Sequence, residues 1–185
     1  MENIDLTVLR NRKTGTKEFR RSADKVAREL ATKAKRELSK RKGVRAIVLV
    51  PVLRSGLALL PAFLSVFPEA SVGFIGLKRD EKTFKPKNYY QHLPPFSKKD
   101  TVLVLDPMLA TGGSACATIT ALTESGAHEN NIMFVGVISA PEGITAIEHQ
   151  FPKATLFVAT RDKKLDKRKY IVPGLGDFGD RYFGT

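Results

Sequence analysis

Between Thr16 and about Arg41 the apolar positions Phe19, Ala23, Val26, Ala27, Leu30, Ala31, Ala34 and Leu38 recur at spacings of three and four, the period of one helix face. Thr16 is a candidate N-cap and Glu18 lies in the first turn. Lys40, Arg41 and Lys42 precede Gly43, so cations meet the negative end of the helix dipole just before a glycine stop. The stripe is alanine-rich and narrow, which predicts a helix lying on a surface rather than filling the core. Beyond it come short β-branched runs: AIVLVPV (46–52), VGFIGL (72–77), TVLVLD (101–106), IMFVGVIS (132–139) and ATLFVAT (154–160). Apolar runs without alternation suit strands covered on both faces, as in a parallel sheet. Helical stretches separate them: SGLALLPAFLSVF, GSACATITALTES and PEGITAIEHQF, the last with Pro141 in its first turn. The pattern predicts an α/β fold, an open, mainly parallel sheet of about five strands with helices on both faces. Ligands in such sheets sit beyond the carboxyl ends of the strands. The connection 79–100, with Pro86, Pro94, Pro95, Tyr89 and Tyr90, is long for a compact domain and is a candidate lid.

A length of 185 residues suits one domain with a real core. Its expected parts are a basic helical segment (1–45), an α/β core (46–160) and a small C-terminal segment (161–185). No run of eighteen apolar residues occurs, and Cys116 is the single cysteine, which excludes a membrane-spanning helix and a disulfide scaffold. The acidic start, Met-Glu-Asn-Ile-Asp, has no apolar leader and the unpaired thiol suits a reducing compartment, so a cytoplasmic protein is expected. Charge sharpens this: the net charge of +12 points to anionic partners. The excess is local, because residues 1–45 hold 15 Lys or Arg against 6 Asp or Glu, and 161–169 holds six cations against two anions. Such runs are ordinarily solvated faces. The alternative is an RNA-binding regulator that contacts phosphates through them, although no aromatic-interleaved RNA signature accompanies the charge.

The sharpest local feature is VLVLDPMLATGGSACATI (102–119): a buried strand, an aspartate at its end, a Thr-Gly-Gly-Ser turn and a helix. Gly112 and Gly113 let backbone N–H groups approach a ligand, and the helix aims its positive end at the same place. Thr111 and Ser114 add hydroxyl donors, while Asp106 accepts from a ligand's hydroxyls. The stretch lacks the Lys-Ser/Thr pair of a P-loop and the GxGxxG spacing of a dinucleotide fold. An aspartate beside a phosphate cradle suits a phosphorylated sugar with a free diol.

DPMLATGGS is similar to the phosphoribosyl-pyrophosphate (PRPP) loop of uracil phosphoribosyltransferases. PVLRSGL (51–57) resembles that family's P-x-L-R-A-G-L turn, GLKRDEKT (76–83) its Y-R-[ND]-E-E-T segment, APEGI (140–144) its crossover, and YIVPGLGDFGDRYFGT (170–185) its C-terminal signature. The resemblance implies that Asp106 holds the ribose hydroxyls, and that Ala110, Thr111, Gly112, Gly113 and Ser114 hold the 5-phosphate, with Pro107, Met108 and Leu109 in the same substrate-binding loop. It implies that Arg54 and Arg79 bind pyrophosphate, work for which a permanently charged, forked guanidinium is suited. Ile171 and Gly176 would meet the uracil edge through their backbone, Asp177 would lie near the ribose or the metal-bound pyrophosphate, and Phe178 would belong to the same base loop under a small C-terminal hood.

The implied reaction is attack of uracil N1 on the anomeric carbon of PRPP, giving uridine monophosphate and pyrophosphate through a transition state of oxocarbenium character. Magnesium would arrive on the substrate oxygens, and the partners would be PRPP, uracil and further copies of the chain, as a homodimer or higher homo-oligomer. No acid-base dyad is needed, in keeping with scattered His92, His128 and His149 and with Cys116 as a core thiol. Four departures stand out. SKRKGVR is short where family members carry a hairpin-like arm, Phe178 replaces a small residue, Asp166 and Lys169 replace Asn and Gly, and Ser55 replaces Ala.

Overall fold

The computed structural model describes residues 6–41, 43, 46–79 (Arg79 through its backbone alone) and 86–185. In chain order the elements are α1 (Thr7–Arg10), α2 (Thr16–Leu38), β1 (Ile47–Leu53), a 3-10 turn (Ser55–Ala58), α3 (Leu60–Val66), β2 (Ser71–Val72), β3 (Phe74–Arg79) and β4 (Pro86–His92). There follow β5 (Thr101–Leu105), β6 (Met108–Leu109), α4 (Gly113–Glu124), a second 3-10 turn (Glu129–Asn131), β7 (Ile132–Ser139), α5 (Pro141–Gln150), β8 (Thr155–Arg161), β9 (Lys164–Leu165), β10 (Ile171–Val172) and α6 (Phe178–Phe183).

The sheet runs β4-β3-β1-β5-β7, with β8 on the outer side of β7. β2 continues the line of β3 along β1, and β6 continues the line of β5 onto β7. All these pairings are parallel except that of β3 with β4. Each expected strand is present, the one over 72–77 divided between β2 and β3, and β6 is added beyond β5. The break between β5 and β6 falls at Asp106 and Pro107, where proline has no N–H for a ladder and its carbonyl instead accepts from Val137 and Ile138. Asp106 is thus delivered at a carboxyl end of the sheet.

Successive residues of a strand face opposite sides, and the buried runs divide accordingly. Leu49, Leu103, Leu105, Met133, Val135 and Val137 pack with α2, α3 and α6. Val48, Val50, Val102, Val104, Ile132 and Phe134 pack with α4 and α5 on the other face. Cys116 on α4 is half-buried against this second layer, and burial pushes its thiol up.

Several expectations need correcting. The α2 stripe does not merely lie on a surface: all eight positions from Phe19 to Leu38 are buried in the first core layer, since small alanines let the helix approach the sheet closely. Its N-cap is Gly15, in extended conformation, and not Thr16. The helix expected over 55–67 is split into the 3-10 turn and α3, whose first turn holds Pro61. The candidate lid is in part regular structure, because 86–92 forms β4 on the sheet edge, while residues 80–85 of that stretch lie outside the described residues. β4 carries no hydrophobic signature because it is exposed along nearly its whole length and is held by its backbone ladder.

β9 and β10 form a separate antiparallel pair. In the turn between them Asp166 Oδ1 accepts from Arg168 N at 2.8 Å and Tyr170 N at 2.9 Å, as an asparagine oxygen would. Lys169 has φ 68°, the left-handed conformation that glycine adopts freely. The two substitutions in this turn therefore keep its geometry, the second at a cost in strain. Lys169→Gly is expected to raise the melting temperature by about 2 °C, corresponding to about 0.5–1 kcal/mol in a chain of this size. A thermal melt with an unchanged or lower midpoint would show that the lysine side chain offsets the strain.

Candidate active site

The loop after β5 turns through Asp106 to Ser114 and enters α4 from Gly112, which has φ 83°. Its shape depends on the neighbouring helix. A Cβ on Gly112 would stand 2.7 Å from Ala146 Cβ, and one on Gly143 would stand 2.6 Å from the Ala110 carbonyl. Only glycine at both positions lets the loop lie against the first turns of α5, which gives the APEGI segment its place in the site. Thr111 Oγ1 accepts from Gly113 N at 3.4 Å, fixing the turn from which α4 starts. Helix starts leave N–H groups without intrahelical partners, so Ser114 and Ala115 present donors and the positive dipole end to whatever lies before them.

What lies before them is a cavity of about 190 Å³ lined by Ser55, Asp106 and residues 108–115. Its lining thus brings together Met108, Leu109, Ala110, Thr111, Gly112, Gly113 and Ser114 with Asp106. Pro107 is buried below them and serves through its carbonyl to β7; it is not among the lining residues. Asp106 is 9% exposed and accepts from Met108 N at 3.3 Å. Its pKa is pushed up to about 7, first by removal from water and further by the Asp177 charge, against the lowering effect of the Met108 N–H. Among the described residues its hydrogen bond is the one from Met108 N, which falls on Oδ1.

Ser55, in the turn after β1, lines the same cavity, and the C-terminal segment packs against that turn. Arg54 follows a cis Leu53–Arg54 peptide, donates from Nη2 to Asp180 Oδ1 at 3.1 Å and lies over the Phe183 ring. Asp177 caps α6, accepting from Asp180 N at 2.9 Å. A Cβ on Gly179 would lie 3.3 Å from Asp177 Oδ1 and 3.7 Å from Ser55 Oγ, so α6 sits directly against the Ser55 turn. Arg79 ends β3 opposite Pro86; its side chain is outside the described residues.

Ile171 is buried and Gly176 has φ 87°. Phe178 needs correcting as a substrate-contact residue. Its side chain is fully buried, edge-on to Phe19 at 5.3 Å and stacked on Tyr182 at 5.9 Å. An aromatic ring at the first position of α6 is turned by the helix toward α2 rather than toward the cavity.

Other residues of this region were not singled out from sequence as working parts. Asp180 pairs with Arg54, and the Glu142 carboxylate accepts from Leu165 N at 3.0 Å, which holds it below the usual carboxylate range. Arg10 and Asp162 meet beside Gly174. The only available signal was the Asp-x-x-Asp spacing of 177 and 180 at a helix start. The ion pair between positions 10 and 162 spans most of the chain and leaves no local pattern. Among the described residues no cluster of three or more His, Cys, Asp or Glu forms a metal site, and no helix is long and apolar enough to cross a membrane.

The architecture is shared with known proteins. A purine phosphoribosyltransferase from Pyrococcus horikoshii superposes with a TM-score of 0.52 at 18% identity, over 62% of this chain and 72% of that one. A hypoxanthine-guanine phosphoribosyltransferase from Bacillus anthracis gives 0.55 at 17%, over 80% of each chain. At such identities the likeness defines the phosphoribosyltransferase fold and no more. A solved protein from Aquifex aeolicus is much nearer, with a TM-score of 0.86 and 34% identity over 97% of this chain and 92% of that one.

The family follows from sequence. Residues 36–185 match the family described as uracil phosphoribosyltransferase. Uracil phosphoribosyltransferases of Finegoldia magna and Clostridium acetobutylicum are 44% and 42% identical to this chain, each over 97% of it and 92% of the relative. The chain belongs to the uracil phosphoribosyltransferase family.

A buried carboxylate with a raised pKa trades stability for function. Native Asp106 holds its proton to about pH 7, whereas the unfolded chain releases it near 3.8. The favourable contribution of the protonated form is therefore complete below the unfolded value and is lost as pH rises to the folded one. Asp106→Asn should melt above the parent at pH 8 by about 3 °C or more, the scale of one kcal/mol here, and the difference should vanish near pH 4. Equal melting temperatures at pH 8 would mean that the carboxylate is not destabilising.

Proposed function

We propose that this chain is a uracil phosphoribosyltransferase that transfers the 5-phosphoribosyl group of PRPP to N1 of uracil, with the Asp106–Ser114 loop as the sugar-phosphate subsite. The observation that carries the reading is the cavity that a buried carboxylate with a single long hydrogen bond and the start of α4 line together. A phosphorylated sugar with a free diol matches that pairing: the 5-phosphate goes to Thr111, Gly112, Gly113, Ser114 and the first-turn N–H groups of α4, and the ribose hydroxyls donate to Asp106.

Arg54, with Arg79 from the end of β3, takes the pyrophosphate. Catalysis then consists of holding the two reactants in line and neutralising charge as pyrophosphate leaves. Magnesium on the pyrophosphate suits the hard oxygen donors of Asp106 and Asp177, whose charges already sense one another; when bound it supplies further neutralisation of the leaving group. The 171–177 stretch takes the base. Backbone N–H groups facing uracil O4 would face the amino group of cytosine, leaving opposed donors unpaired, so uracil is selected. Pro107 supports this loop from below, and the Phe178 ring supports the base stretch from the core side. We further propose one working unit for residues 1–185, a homodimer or higher homo-oligomer, and a cytoplasmic setting suited to the free Cys116.

Purified protein given PRPP, magnesium and a panel of bases should release pyrophosphate with uracil. Release with no base would overturn the assignment. Arg54→Ala should lower kcat/KM for PRPP about 100-fold, on the scale of one lost charge-stabilising group. Because kcat/KM reports the free enzyme, it should rise with pH as Asp106 ionises around pH 7. The same profile for Asp106→Asn should be lower and flatter through that region.

A further inference from the structure

Part of the N-terminal charge is turned inward onto the loop assigned to the base. Arg10 forks onto Asp162, Nη2 to Oδ1 at 2.6 Å and Nη1 to Oδ2 at 2.8 Å, and the Asp162 side chain is 2% exposed. Arg10 Nη1 also donates to the Gly174 carbonyl at 2.9 Å, while Gly174 N donates to Asp162 Oδ2 at 2.8 Å. Guanidinium, carboxylate and one residue's peptide groups thus close a ring that ties position 10 to positions 162 and 174. Gly174 has φ 61°, and a Cβ there would stand 2.0 Å from the Ile171 carbonyl. The bend admits no side chain, and both polar groups of Gly174 are committed to the ion pair.

The neighbouring contacts repeat the pattern. Arg181 donates to the carbonyls of Leu9, Leu175 and Asn11, and the Arg12 guanidinium packs against Gly176. Residues 9–12 therefore back the loop from Gly174 to Gly176.

We propose that Arg10 and Asp162 are positioning residues for base recognition, setting the backbone course of 171–176 on which the choice of base depends. The proposal rests on the reading of that stretch as the base subsite. Where selectivity comes from peptide groups, no side chain can re-aim itself if the backbone drifts, so the anchor of the backbone sets the specificity. A bidentate, charge-assisted pair taken out of water is a stiff anchor, and removing one partner leaves the other buried and uncompensated. The phosphate loop is held separately, by Gly112 and Gly143 against α5. Loss of the pair should accordingly act on the base and spare the sugar phosphate.

The test compares the full chain with Arg10→Met, Arg10→Lys and Asp162→Asn by steady-state kinetics with PRPP, uracil and cytosine, alongside thermal melts. Arg10→Met should raise KM for uracil about tenfold and leave KM for PRPP within about twofold, a split that global loosening does not produce. The preference for uracil over cytosine should fall with it, and Arg10→Lys should recover part of both. Asp162→Asn, which turns an amide donor toward Arg10, should behave like Arg10→Met. Equal rises in the two KM values, or a lowered melting temperature with an unmoved uracil KM, would overturn the proposal. If Arg10→Met does not fold, Arg10→Lys and Asp162→Asn carry the same split. A parent protein that turns over no base would remove the base-subsite reading itself, whereas an active parent with variants of unchanged uracil KM would overturn the pair's role alone.

Discussion

The site depends on how closely a loop and a helix can approach each other. Gly112 and Gly143 remove the two Cβ atoms that would otherwise stand within 3 Å of α5 and of the loop carbonyl, so the turn from Asp106 into α4 is pressed against a neighbouring helix as well as held by its own bonds. That contact fixes where α4 begins, and the start of α4 fixes where an anion is welcome. The break between β5 and β6 at Pro107 then brings Asp106 to the same cavity.

The C-terminal helix packs behind the Ser55 turn. α6 is only six residues long, too short to be stable alone, and it is held by aromatic packing of Phe178 and Tyr182 under Phe19 and by the Asp177 cap. Along that length it meets the base loop at Asp177, the Ser55 turn at Gly179 and Arg54 at Asp180. An aromatic residue at 178 in place of a small one therefore strengthens the seat of the helix on α2 without entering the cavity.

Most of the sheet and the strand-turn-helix from Asp106 to Ser114 were legible because their signals are local. Continuous β-branched runs marked buried strands, and Asp106 to Ser114 carried its chemistry in nine consecutive residues. What escaped had no local signal. β4 pairs through its backbone while exposing both tyrosines, so periodicity could not announce it. The burial of the α2 stripe was underestimated because alanine reads as weakly hydrophobic, although its small size is what allows close helix-to-sheet packing. The 171–177 stretch was singled out only through the family resemblance, and its support comes from Arg10 and Asp162, which are far apart in sequence. Basic residues of the first forty-five read as solvated charge, yet Arg10 is folded into that support and Arg20 donates to the Tyr182 and Phe183 carbonyls.

Two buried aspartates show how the chain divides structural from chemical duty. Asp162 is closed off by an arginine and a glycine N–H, so its capacity to accept is used up within the protein. Asp106 has comparable burial but only one long bond from Met108 N, and it carries a raised pKa as the sign of that unmet need. A carboxylate desolvated and left short of donors binds hydroxyls more strongly than one already satisfied, because the ligand restores what water no longer supplies. The protein accepts a local loss of stability at Asp106 to keep that capacity, and the paired Asp162 stiffens the adjoining loop.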